Sequence, residues 1–241
     1  MTPEVLLAKA SACVLPGAEL RTYLGADAAA WDRFSSHWNH LELDEYAFEL
    51  GTTRFRRYGH FEFTPTDGSV RLLPHDVFAQ PEDSNPLYIE VDRHFEPLTE
   101  GFAADPVLLA LVLLVGKTAT ALDDVAGWMV KVTPFRVLAV GGNAGDPAPE
   151  GPHRDGVTLV SCTLIRRDNA VGGQSTVYDR DRTPLMKTTL NEPGTMLLCD
   201  DRCTLHDVSP IQAIEPARPA CRDVLVITFA PLRQSDRPPP R

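Results

Sequence analysis

Three side chains in this sequence are of the types that together hold a catalytic metal: His153, Asp155 and His206. The first two lie in Gly151-Pro-His-Arg-Asp-Gly156. A strand beginning by His153 sends His153 and Asp155 to one face and Arg154 to the other, because side chains alternate with a period of two. His206 follows in Asp200-Asp-Arg-Cys-Thr-Leu-His-Asp207, just past the apolar run Met196 to Cys199. Two imidazoles and one carboxylate on one ion make the facial triad that leaves positions of a non-haem iron(II) centre open for cosubstrate and O₂. His-x-Asp alone is a weak pattern, since solvated loops contain it often. Context gives it weight: a glycine- and proline-rich loop, Gly141 to Pro152, enters an apolar strand at the pair, and Arg222 opens the last apolar strand, Arg222 to Phe229. A guanidinium at that strand end is mounted to pair bidentately with the distal carboxylate of a dicarboxylic cosubstrate. Arg218, between Pro216 and Pro219, competes for the role from a less rigid mount.

Candidate substrate contacts come from Arg54 to Phe63, read as a strand. The two-residue period puts Phe55, Arg57, Gly59, Phe61 and Phe63 on one face and Arg54, Arg56, Tyr58, His60 and Glu62 on the other. A charge on the apolar face is costly unless an anion meets it, so Arg57 marks either an internal ion pair or the anchor of a substrate carboxylate. A bulge near Gly59 would turn it outward. Arg136 is a second anchor candidate, and Phe55, Phe61 and Phe63 a candidate pocket wall. His37 and His40, beside Trp38, read as helix-packing or surface residues, and His60 as solvated; His75 and His94 stand in acidic, proline-rich segments without a reading. Cys199 and Cys203 could share a metal, but small packing residues are the commoner use of such a pair.

The elements that must position these residues are mostly strands. Short β-rich runs recur from Lys131 onward: Phe135 to Val140, Val157 to Ile165, Ser175 to Tyr178, Thr195 to Cys199 and Asp223 to Phe229, with turns at Gly172-Gly173 and Glu192-Pro-Gly194. Such spacing without intervening helices predicts a sandwich or barrel. Helices are expected from Thr2-Pro3 to about Val14, over Ala26 to Leu41, and from Asp105-Pro106 through Val115, the last too apolar for a surface helix. The fold class is therefore mainly β with flanking helices and a double-stranded β-helix core, as one domain over 1–232 with a disordered tail, 233–241.

Composition bounds the partners. The 241 residues carry a formal net charge of −10, which argues against nucleic acid and anionic membranes and for a small-molecule substrate. The longest apolar run, Val107 to Val115, is too short to cross a bilayer, and no secretory leader is visible, so a cytoplasmic enzyme is expected. Five scattered cysteines fit free thiols in a reducing compartment. Oligomeric state leaves no mark in the sequence.

Several stretches resemble the 2-oxoglutarate/Fe(II) dioxygenases related to bacterial L-isoleucine dioxygenase, which hydroxylate free L-amino acids. They are Arg54 to Gly59, Phe135-Arg-Val137, Pro149 to Gly156, Gly172 to Tyr178, Asp200 to Ile211 and Arg222 to Phe229. The resemblance implies a jelly-roll, cupin-like core, iron(II) on His153, Asp155 and His206, 2-oxoglutarate on Arg222, O₂ as oxidant, and succinate and CO₂ as coproducts. Thr133-Pro134 stands where the pattern has a His-Gln pair, which leaves the substrate open. Hydroxylation is the expected outcome, with desaturation or ring closure as variants of the same chemistry. A zinc-dependent hydrolase and a non-catalytic jelly-roll binding module are the alternatives; the first gives Arg222 no task and the second gives no reason for keeping a metal triad.

Overall fold

The N-terminal helix stops earlier than its pattern suggests. In the computed structural model, which describes residues 3–75 and 93–233, α1 spans Pro3–Ala10, Ser11 takes a left-handed turn (φ 54°), and β1 (Ala12–Leu15) follows. Ala-Cys-Val-Leu is apolar at every position and suits a strand covered on both faces better than a further helical turn. Helix α2 (Gly17–Leu24) went unforeseen, while α3 (Ala28–Ser36) begins within the expected segment and gives way at His37 to a 3₁₀ turn. Asp27 caps α3 by accepting from the Ala30 N–H. Next come β2 (Glu42–Leu43), α4 (Glu45–Glu49), β3 (Thr53–Arg56), β4 (Gly59–Thr64), β5 (Ser69–Leu72) and α5 (Glu100–Ala103). The apolar helix α6 (Pro106–Leu122) starts at the expected signal, Asp105 accepting from the Val107 N–H ahead of Pro106. The rest is strand: β6 (Trp128–Ala139), β7 (Leu159–Asp168), β8 (Ala170–Gly172), β9 (Gln174–Tyr178), β10 (Pro184–Thr189), β11 (Met196–Asp200), β12 (Leu205–Val208), β13 (Ile211–Ala213) and β14 (Ala220–Pro231). Of the expected tail only Arg233 falls among the described residues.

The major sheet is antiparallel in the order β1-β11-β7-β14-β6-β3-β2, with β4 also on β6 and β5 on β4. Two smaller sheets, β10-β9-β12 and β13-β8, face it. The two-residue period divides each major strand between two cores. Leu225, Ile227 and Phe229 of β14, Met196 and Leu198 of β11, and Leu15 of β1 pack with α3 and α6 in the larger core. Val224, Leu197 and Ala12, alternating with them, face Val177 of β9 across the interior between the sheets. This is the mainly β, double-sheet architecture that the strand pattern led us to expect. The edge made by β3 and β4 is broken at Arg57-Tyr58, because Arg56 pairs with Phe135 of β6 while Gly59 pairs with Val132. Pro134 stands on β6 opposite that interruption, where a residue with no N–H to give is best tolerated. No helix among the described residues is long and apolar enough to cross a membrane.

Candidate active site

A short antiparallel bridge brings the two histidines together. The N–H of His153 donates to the carbonyl of His206 (3.1 Å) and the N–H of His206 donates back (2.8 Å), which places the ring centroids 4.5 Å apart. β12, paired to β9 with His206 opposite Val177, holds one side of this bridge in the minor sheet. With Asp155 the two imidazoles form a cluster whose potential ligand atoms all lie within 4.8 Å of one another, the metal-capable group of three found among the described residues. The donor chemistry fits iron(II). His153 Nδ1 lies 2.9 Å from the Gly151 carbonyl, which can only accept, so Nδ1 carries the proton and Nε2 turns its lone pair to the cluster. Burial, with His153 close by, pushes the His206 pKa down to about 4, so this ring is neutral and ready to ligate.

The acid is oriented by Asp201, which the sequence reading passed over. Its buried carboxylate accepts from the backbone N–H groups of Asp155 (3.2 Å) and Val157 (3.0 Å), fixing the turn from which Asp155 projects. Burial and the neighbouring Asp155 raise the Asp201 pKa to about 6, against the backbone N–H groups that favour its charge. Glu150 is a further acid at the cluster, with Oε1 3.4 Å from His153 Nε2.

The cluster opens on a cavity of about 170 Å³ between the sheets. Arg222 lines it from β14, only 1 % exposed, and its Nε and Nη2 groups have no hydrogen-bond partner among the described residues. Ser175 of β9 lines it too, with a buried and likewise unpartnered hydroxyl. A guanidinium left in that state costs several kcal/mol unless a ligand anion supplies the acceptors. Arg167, which pairs with Arg222 in register, donates to the Gly172 carbonyl at 2.7 Å. Gly173 (φ 64°) packs so closely that a Cβ there would meet Ile211, Arg167 and Arg222 at 3.0–3.3 Å. Arg218 instead pairs on the surface with Asp168 and Glu215 and does not line the cavity.

The structure corrects the expected substrate anchors. Arg57 sits at the break between β3 and β4 and donates to the carbonyls of His40 and Pro97 and to Glu42, away from the cavity. It has an ion-pair partner, but Glu42 is exposed, so this is a pair at the surface rather than a buried one. Arg136 lies between the cavity residues Phe135 and Val137 and so points the other way, gripping Asp223 with two 2.7 Å bonds. Phe61 and Phe63 belong to the helix-covered core, against which Phe55 packs. The opposite face of β3 meets the cavity, with Arg54 and Arg56, joined there by Arg93 and Lys131. The period of two had separated the faces correctly; what covers each face decided which was the pocket.

Two further histidines and two cysteines serve packing and local bonds. His37 stacks on Phe102 and reaches Asp105 at 3.1 Å, as a helix-packing residue should. His60 is not simply solvated, since its Nε2 meets the Tyr58 hydroxyl. Cys199 packs in the interior core and Cys203 donates to the Asp200 carbonyl, so neither belongs to a metal group.

An oxygen-activating iron enzyme needs an ion held on one side, an anion site within reach of it, and a cavity closed off by sheets, and a non-haem iron dioxygenase is the class this fold and site define. More narrowly, the model of the 2OG-Fe dioxygenase family matches residues 35–228, and the chain belongs to that family, whose members use iron(II), 2-oxoglutarate and O₂. A bsmA homologue from Methylobium petroleophilum PM1 shares 34% identity over 95% of this chain and 91% of its own, with a TM-score of 0.86. IDO from Bacillus thuringiensis (16% identity, 95% and 94% covered, TM-score 0.77) shares the fold. So does the Fe(II)/α-ketoglutarate-dependent dioxygenase TqaL (17%, 97% and 87%, 0.77). No curated protein matches the chain.

Proposed function

We propose that the protein oxidises a free L-amino acid or a close derivative, by hydroxylation, with His153, Asp155 and His206 holding iron(II) and Arg222 holding 2-oxoglutarate. The observation that carries the site assignment is the buried Arg222: a fixed cation with unpartnered N–H groups, in the same cavity as the metal-capable cluster. A five-carbon dicarboxylate would suit both features, with Arg222 holding one carboxylate and His153, Asp155 and His206 holding the metal it would serve. Ser175 adds a hydroxyl for the same carboxylate. Iron(II) with 2-oxoglutarate, when bound, would supply the oxidising power from O₂, with succinate and CO₂ as coproducts. The chain's own residues do the rest. The Gly151 carbonyl and the Asp201 carboxylate hold His153 and Asp155 in ligating geometry, and the apolar walls, such as Val160, Leu197 and Val226, keep water from the reacting carbon.

The amino-acid reading draws on the resemblance of the segments around Arg54, His153, His206 and Arg222 to the isoleucine-dioxygenase group, and on the cationic wall of the cavity, which suits a carboxylate-bearing substrate. Desaturation or ring closure would need the same site and differs only in the product. Two experiments test the reading. Anaerobic addition of iron(II) and then 2-oxoglutarate should give a visible metal-to-ligand charge-transfer band in the native protein and none in Asp155→Ala. A panel of L-amino acids, assayed for O₂-dependent succinate release with mass analysis of products, should yield one that gains a single oxygen. Loss of two hydrogens instead would establish the desaturase or cyclase variant.

A further inference from the structure

The sheet that carries Arg222 sets a second arginine beside it. On β7, Leu164 packs in the interior core opposite Val224, and the next residue, Ile165, belongs to the helix-covered core. Strict alternation would then turn Arg166 inward and Arg167 outward. The register shifts at this point instead: Val224 pairs with Leu164 and Asp223 with Arg166, which leaves Ile165 as an extra residue, a β-bulge. The bulge reverses the phase of the strand. Arg166 is exposed, and Arg167 stands directly opposite Arg222 on the same side of the sheet.

Like charges opposite each other on paired strands repel, and nothing among the described residues neutralises this pair. Arg222 has Nε and Nη2 without a partner, and Arg167 has a buried Nη1 in the same state. The acids next to them in the chain are taken, Asp168 by Arg166 and Arg218, and Asp223 by Arg136. Burial and the Arg222 charge together depress the Arg167 pKa. The turn after β8 is shaped around the two side chains. Arg167 Nη2 donates to the Gly172 carbonyl at 2.7 Å, and Gly173 leaves free a space in which a Cβ would meet Arg167 Nη1 at 3.1 Å and Arg222 Cδ at 3.3 Å. Ser175, two residues further on, brings its unpartnered hydroxyl to the cavity.

Arg222 lines the cavity and Arg167 does not, so Arg167 acts through its neighbour. It does so in two ways. By taking the Gly172 carbonyl it removes the acceptor that a guanidinium on this wall would otherwise find within the protein, and its charge drives the Arg222 guanidinium away from the turn. The same charge, set behind Arg222 where little water screens it, adds to the positive potential at the end of the cavity.

We infer that Arg167 is a positioning residue for the cosubstrate: it keeps Arg222 without an internal acceptor and supplies a second guanidinium charge behind it, so that the end of the cavity selects for a carboxylate with two cations rather than one. This rests on the reading of Arg222 as the 2-oxoglutarate site and gives that site its selectivity. The bulge at Ile165 is then a functional feature of β7, since it is what turns Arg167 to the inner side.

The test uses the whole protein loaded anaerobically with iron(II) and titrated with two probes, 2-oxoglutarate and 2-oxopentanoate. The second has the same keto-acid end and chain length but a methyl in place of the distal carboxylate, and the charge-transfer band reports both. Native protein should prefer 2-oxoglutarate by about 1,000-fold. Arg167→Gln should weaken 2-oxoglutarate about 30-fold and leave 2-oxopentanoate and the iron titration unchanged. Arg167→Lys, which restores the charge, should regain most of the preference. Equal weakening of both probes in Arg167→Gln would reduce Arg167 to a structural role, an unchanged preference would leave Arg222 acting alone, and a Lys variant as poor as Gln would show that the charge is not what matters; each overturns the inference. Where Arg167→Gln does not fold, Arg167→Lys decides against native protein, and a preference more than about tenfold below native overturns it as well. These failures leave the proposed function standing. If native protein itself binds the two probes equally, Arg222 is not the cosubstrate site, and if no band forms with either, the proposed function fails and the inference with it.

Discussion

Replacing Arg222 by Met should make the ligand-free protein more stable and the enzyme useless. The side chain is 1 % exposed, and two of its N–H donors have no partner among the described residues. An unsatisfied buried donor costs about 1–3 kcal/mol, and exchanging a buried, poorly compensated charge for an apolar chain of similar shape is neutral to stabilising by about 1–4 kcal/mol. Met is shorter, and the space it leaves returns roughly 1 kcal/mol of that. A net gain of about 2 kcal/mol corresponds to a Tm about 4–8 °C higher for a domain of this size. Binding moves the other way. Removing one partner of a buried, hydrogen-bonded charge pair costs about 2–5 kcal/mol, so the 2-oxoglutarate Kd should rise roughly 30- to 5,000-fold. In urea titrations with manganese(II) in place of iron, native protein at 100 times its Kd of 2-oxoglutarate should gain about 2.7 kcal/mol, while the variant gains almost nothing at the same concentration. The order of stability therefore inverts between the two conditions. A ligand-free variant that unfolds before the native protein, or equal stabilisation of both by 2-oxoglutarate, would show that Arg222 is satisfied from within and refute its assignment.

Arg136→Met should destabilise the fold by about 3–5 kcal/mol, because it strands the buried Asp223 carboxylate, while Arg136→Met/Asp223→Leu recovers most of the loss; urea midpoints decide it, and a drop in kcat/KM at unchanged stability would restore Arg136 to the active site. Arg57→Gln should lower stability by about 1–2 kcal/mol through its lost bonds to His40, Pro97 and Glu42, and leave the KM for 2-oxoglutarate and substrate at native values in steady-state assays. Thiol reactivity should be low in the native state at pH 8: burial pushes the Cys13 pKa up to about 11, that of Cys221 up to about 12, and those of Cys162 and Cys199 upward as well. These thiols stay protonated far below their folded pKa, so a disulfide reagent should titrate Cys203 quickly and all five cysteines only after denaturation; rapid reaction of two or more would contradict the burial.

What the sequence made legible, and what it hid, follows from the kind of information each feature needs. The double-sheet core could be read because alternation is local: β7, β11 and β14 show it within their own runs. His153, Asp155 and His206 could be proposed together because metal-ligating types at strand ends are few, and Arg222 because it begins an otherwise apolar strand. The short strand β1 and helix α2 were missed, since four apolar residues after a helix look like more helix until β11 is known to lie beside them. Alternation points to Arg57 because it shares a face with three aromatic residues, where a charge is costly unless an anion meets it. That inference failed on a non-local fact: α6 covers the aromatic face, so Phe61 and Phe63 belong to the core. Once the helical layer takes the apolar side of β3, the charged side has to look inward, and Asp44 and Phe95 make that bearable. Arg56 on β3 and Arg222 on β14 are then the same kind of signal, a cation set where the sheet's inner face should be apolar. In a family whose cosubstrate is an anion, such a break in the pattern is where a ligand site is to be sought, and the proposed function uses the one at Arg222.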